Sequence, residues 1–173
     1  MMEIKSPEIA EFAAQIILRM EENTPRIEKC LAELTETEVW QRPNDASNSI
    51  GNLILHLCGN ITQYAISSLG NSPDVRDRDA EFAATGGFSK AELMEKLSWT
   101  VREALEVIRL ASRDEMLRVR TVQGFQMSGI GIAVHICEHY SYHTGQIAFW
   151  TKFLKNRDLG FYADLDLTIK NDI

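Results

Sequence analysis

The sequence predicts an all-α protein, a four-helix bundle in one domain spanning residues 1–173, with a short irregular or hairpin segment before the last helix. Three observations predict it. Apolar residues recur at steps of three and four through four long stretches, the period of a helix with one buried face. Helix-start residues stand in front of these stretches, and Gly or Asn stands behind two of them. The chain of 173 residues, 45% hydrophobic and 25% charged, has the size and balance to bury one core.

The first stretch runs through Ile9, Phe12, Ile16, Ile17 and Met20, with Pro7 in the first turn, where a proline is tolerated. Pro25 is expected to kink or interrupt it before the pattern resumes at Ile27, Leu31 and Leu34. Thr35 and Glu38 have capping-box spacing ahead of Val39 and Trp40. Pro43 opens a loop over residues 44–47, and Ser47 or Asn48 is expected to cap a second helix. That helix carries Ile50, Leu53, Ile54, Leu57 and Ile61 and ends at Gly70.

Residues 71–87 read as a long, partly structured loop. Its run Arg76-Asp77-Arg78-Asp79 is either a solvated, salt-bridged segment or one that closes over a pocket or binds an anionic substrate. Ser89 and Glu92 form a second capping box for a helix through Leu93, Leu97, Val101, Leu105 and Ile108. The alternation over residues 118–122, followed by Gln123-Gly124, predicts a small hairpin. Ser128 then caps the longest helix, reaching about Asn156. Its apolar residues (Ile130, Val134, Ile136, Ile147, Phe149, Trp150, Leu154) surround most of its circumference, which predicts burial among the others. Residues 158–173 read as a tail along the surface.

Composition narrows the function classes. A net charge of -7 and no basic stripe with aromatic interleaving exclude nucleic acid as an expected partner. No apolar run is long enough to span a bilayer, and residues 1–7 carry no signal-peptide pattern, so a cytoplasmic location without membrane contact is expected. Cys30, Cys58 and Cys137 are odd in number and far apart, as buried free thiols are.

The chemistry-bearing residues are the four histidines. His135, His139 and His143 follow at steps of four, so they share a face of the last helix with Tyr142, Gln146, Trp150 and Phe153, a face expected to point inward. His56 lies mid-helix in the second helix, in a row with Asn52, Asn60 and Gln63 that reads equally well as water-facing. A metal site in a bundle takes ligands from facing helices. Two histidines at i, i+4 with one from another helix give three neutral nitrogens and leave positions open for water or substrate. Such a set suits zinc or nickel, and also iron or manganese. The plainer reading is a stripe of hydrogen-bonded or solvated histidines. A competing metal reading takes His135-Ile136-Cys137-Glu138-His139 as H-x-x-E-H, with Glu138 as base; otherwise Glu138 is a helix-side carboxylate or the partner of an imidazole N–H.

Two segments carry a family resemblance. His139-Tyr140-Ser141-Tyr142-His143-Thr144-Gly145-Gln146-Ile147 resembles the H-x-x-x-H-x-G-Q-I signature of the DinB-like superfamily, and residues 48–60, centred on His56, resemble its second-helix motif. Residues 76–82 resemble a loop of one uncharacterised branch. The resemblance implies a bundle with a long crossover connection, a homodimer, and a divalent transition metal on His56, His139 and His143, with His135 lining the pocket or hydrogen-bonding within it. It further implies an enzyme acting on a small-molecule substrate, a transferase using a low-molecular-weight thiol or a hydrolase. Asn52, His135, Tyr142 and Gln146 are the candidates to shape its pocket. The alternative is a non-catalytic, stress-related metal-binding or dimeric helical protein. Fold and metal alone do not choose the reaction.

Overall fold

Proline at the first helical position and a buried row of Ile9, Ala13, Ile16, Met20, Ile27 and Leu31 make α1, Pro7–Glu33. The structure is a computed structural model and describes residues 6–171. The reading of residues 1–7 as free of a targeting signal rests mostly on positions outside the described residues. Contrary to expectation, α1 is not interrupted at Pro25. The ring removes one backbone donor, but Met20 and Ile27 on either side are fully buried, and their packing keeps the chain helical through it. Thr24 Oγ1 adds a tie to Tyr140 Oη at 2.8 Å.

The capping box of Thr35 and Glu38 starts α2, Glu36–Trp40. The cap of α3, Ile50–Ile61, is Ser49 rather than Ser47 or Asn48. Asn52 decides the position: Ser49 Oγ accepts the Asn52 N–H, and the Asn52 side chain reaches back to Ser49 N, an asparagine in the place a glutamate usually takes. Past Ile61 the helix widens into a π-helical segment, Thr62–Leu69. Residues 71–87 contain the short α4, Arg78–Ala83. The box of Ser89 and Glu92 then starts α5, Lys90–Leu110, and α6 is Arg113–Leu117.

The expected hairpin pairs β1, Val119–Val122, with β2, Phe125–Ser128, antiparallel, with Val122 opposite Phe125. Its two turn residues both have positive φ (Gln123 49°, Gly124 82°), the turn whose twist matches paired strands. Ser128 caps α7, Gly129–Lys155.

Helix α1 packs against α5 and α7, and α3 packs against the same two helices, so α1 and α3 are diagonal partners. The links over 34–49 and 111–128 therefore each cross an end of the bundle. This arrangement places α3 beside α7, although α5 lies between them in sequence. The core is chiefly aliphatic, with Tyr64 and Tyr140 fully buried in it. Cys30 and Cys58 are buried and Cys137 half-buried, all as free thiols. Burial pushes the Cys58 thiol up to about 12, which leaves it inert at neutral pH.

Helix α7 departs from the expected all-round burial: Val134, Tyr142, Phe149 and Phe153 are exposed. Each helix of a four-helix bundle keeps one outward face, and here that face carries these large apolar side chains among Glu138, Ser141, Gln146 and Lys152. No helix among the described residues is long and apolar enough to cross a membrane.

Candidate metal centre

His56, in the middle of α3, meets His139 and His143, one turn apart on α7. Their ligand atoms lie within 4.8 Å of one another, and His56 Nε2 stands 2.9 Å from His139 Nε2. His56 and His143 are buried, while His139 is half-buried and forms the open side of the group. His135, one turn before His139, stacks instead on Tyr64 at 4.1 Å and turns Nε2 to the Asn60 amide at 3.3 Å. Tyr64 belongs to the π-helical segment, a local widening often found beside functional sites.

The outer nitrogens assign the tautomers. His143 Nδ1 is 2.7 Å from Gln146 Oε1, an acceptor, so Nδ1 carries the proton and Nε2 keeps its lone pair. His56 Nδ1 is 3.1 Å from Glu81 Oε2, a carboxylate acceptor that favours the proton on Nδ1. Arg76 Nη2 also lies 3.1 Å from that nitrogen, but it has a shorter bond, 2.8 Å, to Glu81 Oε2. In the tautomer with His56 Nε2 unprotonated, the 2.9 Å contact is a bond donated by His139 Nε2–H. His139 alone among the three would have to shift its proton to Nδ1 to act as a ligand.

Burial, together with the neighbouring His143, His56 and His135, pushes His139 down to about 3 from the ordinary 6.5. Burial also lowers His143 and His135. Burial thus disfavours the charged form of His139, His143 and His135, and neutral imidazole is the form that ligates metals. Three converging nitrogens, two of them anchored through the opposite ring nitrogen, are a donor set that fits a divalent transition metal.

The anchor of His56 is the part that sequence reasoning missed. Residues 74–84 run as a strap along α3. Arg76 and Glu81 are bonded at 2.7 Å, with side chains only 2% and 9% exposed, so the charged run is not solvated at Arg76. Burial alone would raise the Glu81 pKa, but the bonds from Arg76 and His56 outweigh it and keep the carboxyl below its usual range. Asn52 Nδ2 donates to the carbonyls of Glu81 and Ala84 at 3.0 and 2.7 Å. Gln63 Oε1 accepts from Arg76 Nη1 at 3.0 Å. A Cβ on Gly59 would lie 1.8 Å from Glu81 Oε1, so only glycine lets the pair sit there. The sequence offers one signal for this, a glycine inside a helix where it costs about 1 kcal/mol, one turn beyond His56.

Glu138 is exposed, and the carboxylate at an imidazole N–H is that of Glu81. The row of Asn52, His56 and Asn60 is buried, and it faces the strap and α7 rather than water. Asn52 holds the strap and completes the capping box of α3. Tyr142 and Gln146 are exposed, not inward, because adjacent helical residues differ by about 100° and the buried arc of α7 passes through His143 and Ile147. Both line a cleft of ≈ 670 Å³ with Leu53, Phe149, Trp150 and Phe153. Gln146 thus touches a metal-site histidine and the cleft at once.

Over residues 8–163 the chain matches a sequence family described as "Protein of unknown function (DUF1572)". Among solved structures it is similar to a conserved protein from Enterococcus faecalis, with a TM-score of 0.72 and 15% identity over 90% of this chain and 100% of the other. It is also similar to a DinB-like protein from Bacillus subtilis, with a TM-score of 0.63 and 12% identity over 83% of this chain and 94% of the other. No functionally curated protein matches it in sequence. At these identities the likeness is one of fold, and that fold is the DinB-like bundle.

Proposed function

The chain belongs to the DUF1572 family and has the DinB-like fold, and from that premise we propose that it is a divalent-metal-dependent enzyme acting on a small molecule. In this reading His56, His139 and His143 hold the ion, zinc or nickel first and iron or manganese next. The reaction is a transfer that uses a low-molecular-weight thiol, or a hydrolysis. The observation that carries the reading is the convergence of three imidazole nitrogens, two anchored from behind, next to an open cleft.

A divalent ion in such a site is a Lewis acid that makes a nucleophile available at neutral pH from water or a thiol. The residues around it set what it favours. The three donors are imidazole nitrogens rather than carboxylates, and Arg76 balances the nearby Glu81, so the ligand set favours an anionic ligand on the ion. Tyr142, Phe149, Trp150 and Phe153 give the neighbouring cleft apolar walls, and Gln146 places one amide at its edge. That is the usual make-up of a small-molecule site, apolar with few polar groups. His135 and Asn60 continue the polar strip on the other side of His139.

One observation favours a second reading, a non-catalytic, stress-related metal-binding dimer. Tyr142, Phe149 and Phe153 form an exposed apolar stripe on α7 that suits a second copy of the chain. A homodimer is compatible with both readings; a cleft left open in the dimer favours the enzyme. A cytoplasmic setting and the lack of a nucleic-acid partner belong to the same proposal, supported by the acidic composition.

The test is elemental analysis of the untagged protein beside His56→Ala. About one transition-metal ion per chain, lost in the variant, is expected, followed by activity screens with and without added thiols. A native protein that takes up no zinc, nickel or manganese on reconstitution would overturn the proposal.

A further inference from the structure

The strap and helix α3 meet along one stripe. Strap residues 81 and 84 bind Asn52, the pair Arg76–Glu81 lies on Gly59, and residues 74 and 76 bind Gln63. The strap therefore runs backwards along about three turns of the helix that carries His56 and its π-helical extension, and His56 lies in the middle of that stripe. Glu81 has its carboxylate oxygens fixed from one side by Arg76, through Nε at 2.7 Å and Nη2 at 2.8 Å. On the other side it meets His56 Nδ1. The Phe82 ring closes on the same imidazole, with centroids 4.8 Å apart.

We infer that Glu81 is a positioning residue for the metal centre: clamped by Arg76 and seated on Gly59, it accepts the His56 Nδ1–H and so keeps Nε2 unprotonated and aimed at His139 and His143. This rests on the metal-site reading above. An imidazole without an anchor favours the proton on Nε2, the nitrogen that must ligate, so the anchor supplies the form that binding requires. A loop staple would need only the Arg76–Glu81 pair and the two Asn52 bonds. The bond to the imidazole is additional to these, and it is the arrangement that orients ligating histidines in metal sites.

The test uses zinc alone on the full chain, with affinity read by competition against a chromophoric chelator. The tautomer of His56 is read on the metal-free protein by nitrogen-15 NMR. Glu81→Ala is expected to weaken zinc binding about 10- to 100-fold and to move His56 toward the Nε2–H tautomer. Glu81→Gln abolishes the ion pair but keeps an acceptor, so it is expected to retain the Nδ1–H tautomer and much of the affinity; it also serves if the alanine variant folds poorly. If the pair were only a staple, both variants would lose alike, and that result overturns the inference. So does Glu81→Ala protein that binds zinc as tightly as wild type, which would leave the metal centre itself standing. Wild-type protein that binds no zinc removes the metal reading and this inference with it.

Discussion

A single methyl group at position 59 separates two expectations of opposite sign. In a helix interior, Gly→Ala is ordinarily stabilising by about 0.8–1.0 kcal/mol. At Gly59 the new Cβ would fall 1.8 Å from Glu81 Oε1, 2.7 Å from its Cδ and 2.9 Å from Arg76 Nε. Glu81 has nowhere to yield without breaking its bonds to Arg76 or His56, so the overpacking cost of about 1–3 kcal/mol applies in full. The net expectation for Gly59→Ala is a loss of roughly 0–2 kcal/mol, or a Tm unchanged to lower by up to about 8 °C for a chain this long. Gly145 supplies the internal control. It also lies within a helix, α7, but its Cβ would meet nothing within 4 Å, so Gly145→Ala should raise Tm by about 2–4 °C. Calorimetric melts of the three metal-free proteins decide the matter. If Gly59→Ala is stabilised as much as Gly145→Ala, the strap is not seated on α3 as described.

Three further outcomes are expected. His139 is depressed from 6.5 to about 3 and His143 and His135 are also lowered, so the unfolded chain binds more protons than the folded one across that interval. Stability should be fully present above about pH 6.5 and fall as pH drops toward 3, and His139→Gln should flatten that decline in melts of metal-free protein. Thr24→Val removes the partner of the buried Tyr140 hydroxyl and should cost about 1–3 kcal/mol in denaturant titrations. Most of that loss should return in the double variant with Tyr140→Phe. His135→Ala should keep its metal by elemental analysis, because His135 faces Asn60 and Tyr64; metal loss there would revive the H-x-x-E-H reading.

The bundle was legible because each long helix carries its apolar residues at helical spacing and most start at recognisable caps. The cap of α3 was displaced by one position because Ser47, Asn48 and Ser49 are all competent caps, and only the side chain of Asn52 selects among them. Pro25 was over-weighted because the packing on both sides of it is not visible in local sequence. Spacing places His139 and His143 on one face, but it does not say that α3 lies beside α7. With two diagonal links, sequence order is not spatial order, and the family resemblance supplied that step. Arg76 and Glu81 were hidden for a related reason. A run of alternating charges looks solvated, and nothing local reveals that a glycine on another helix makes room for the pair. The outward apolar residues of α7 escaped because periodicity reports how wide an apolar arc is, not how much of it the neighbouring helices cover.

The diagonal order of the helices also fixes when the centre comes into being. His56 and His139 are 83 residues apart, and α7 is the last helix of the bundle. As the chain is synthesised, α3 and its strap emerge together, so the pairing of Arg76 with Glu81 and the orientation of His56 need only local closure. The other two nitrogens arrive with α7. Until then a lone imidazole offers a cation one ligand, and loading waits for the final helix to dock. On the proposed metal reading, acquisition is thus a late event of biogenesis, and a nascent chain stalled before α7 would present only the His56 half of the site.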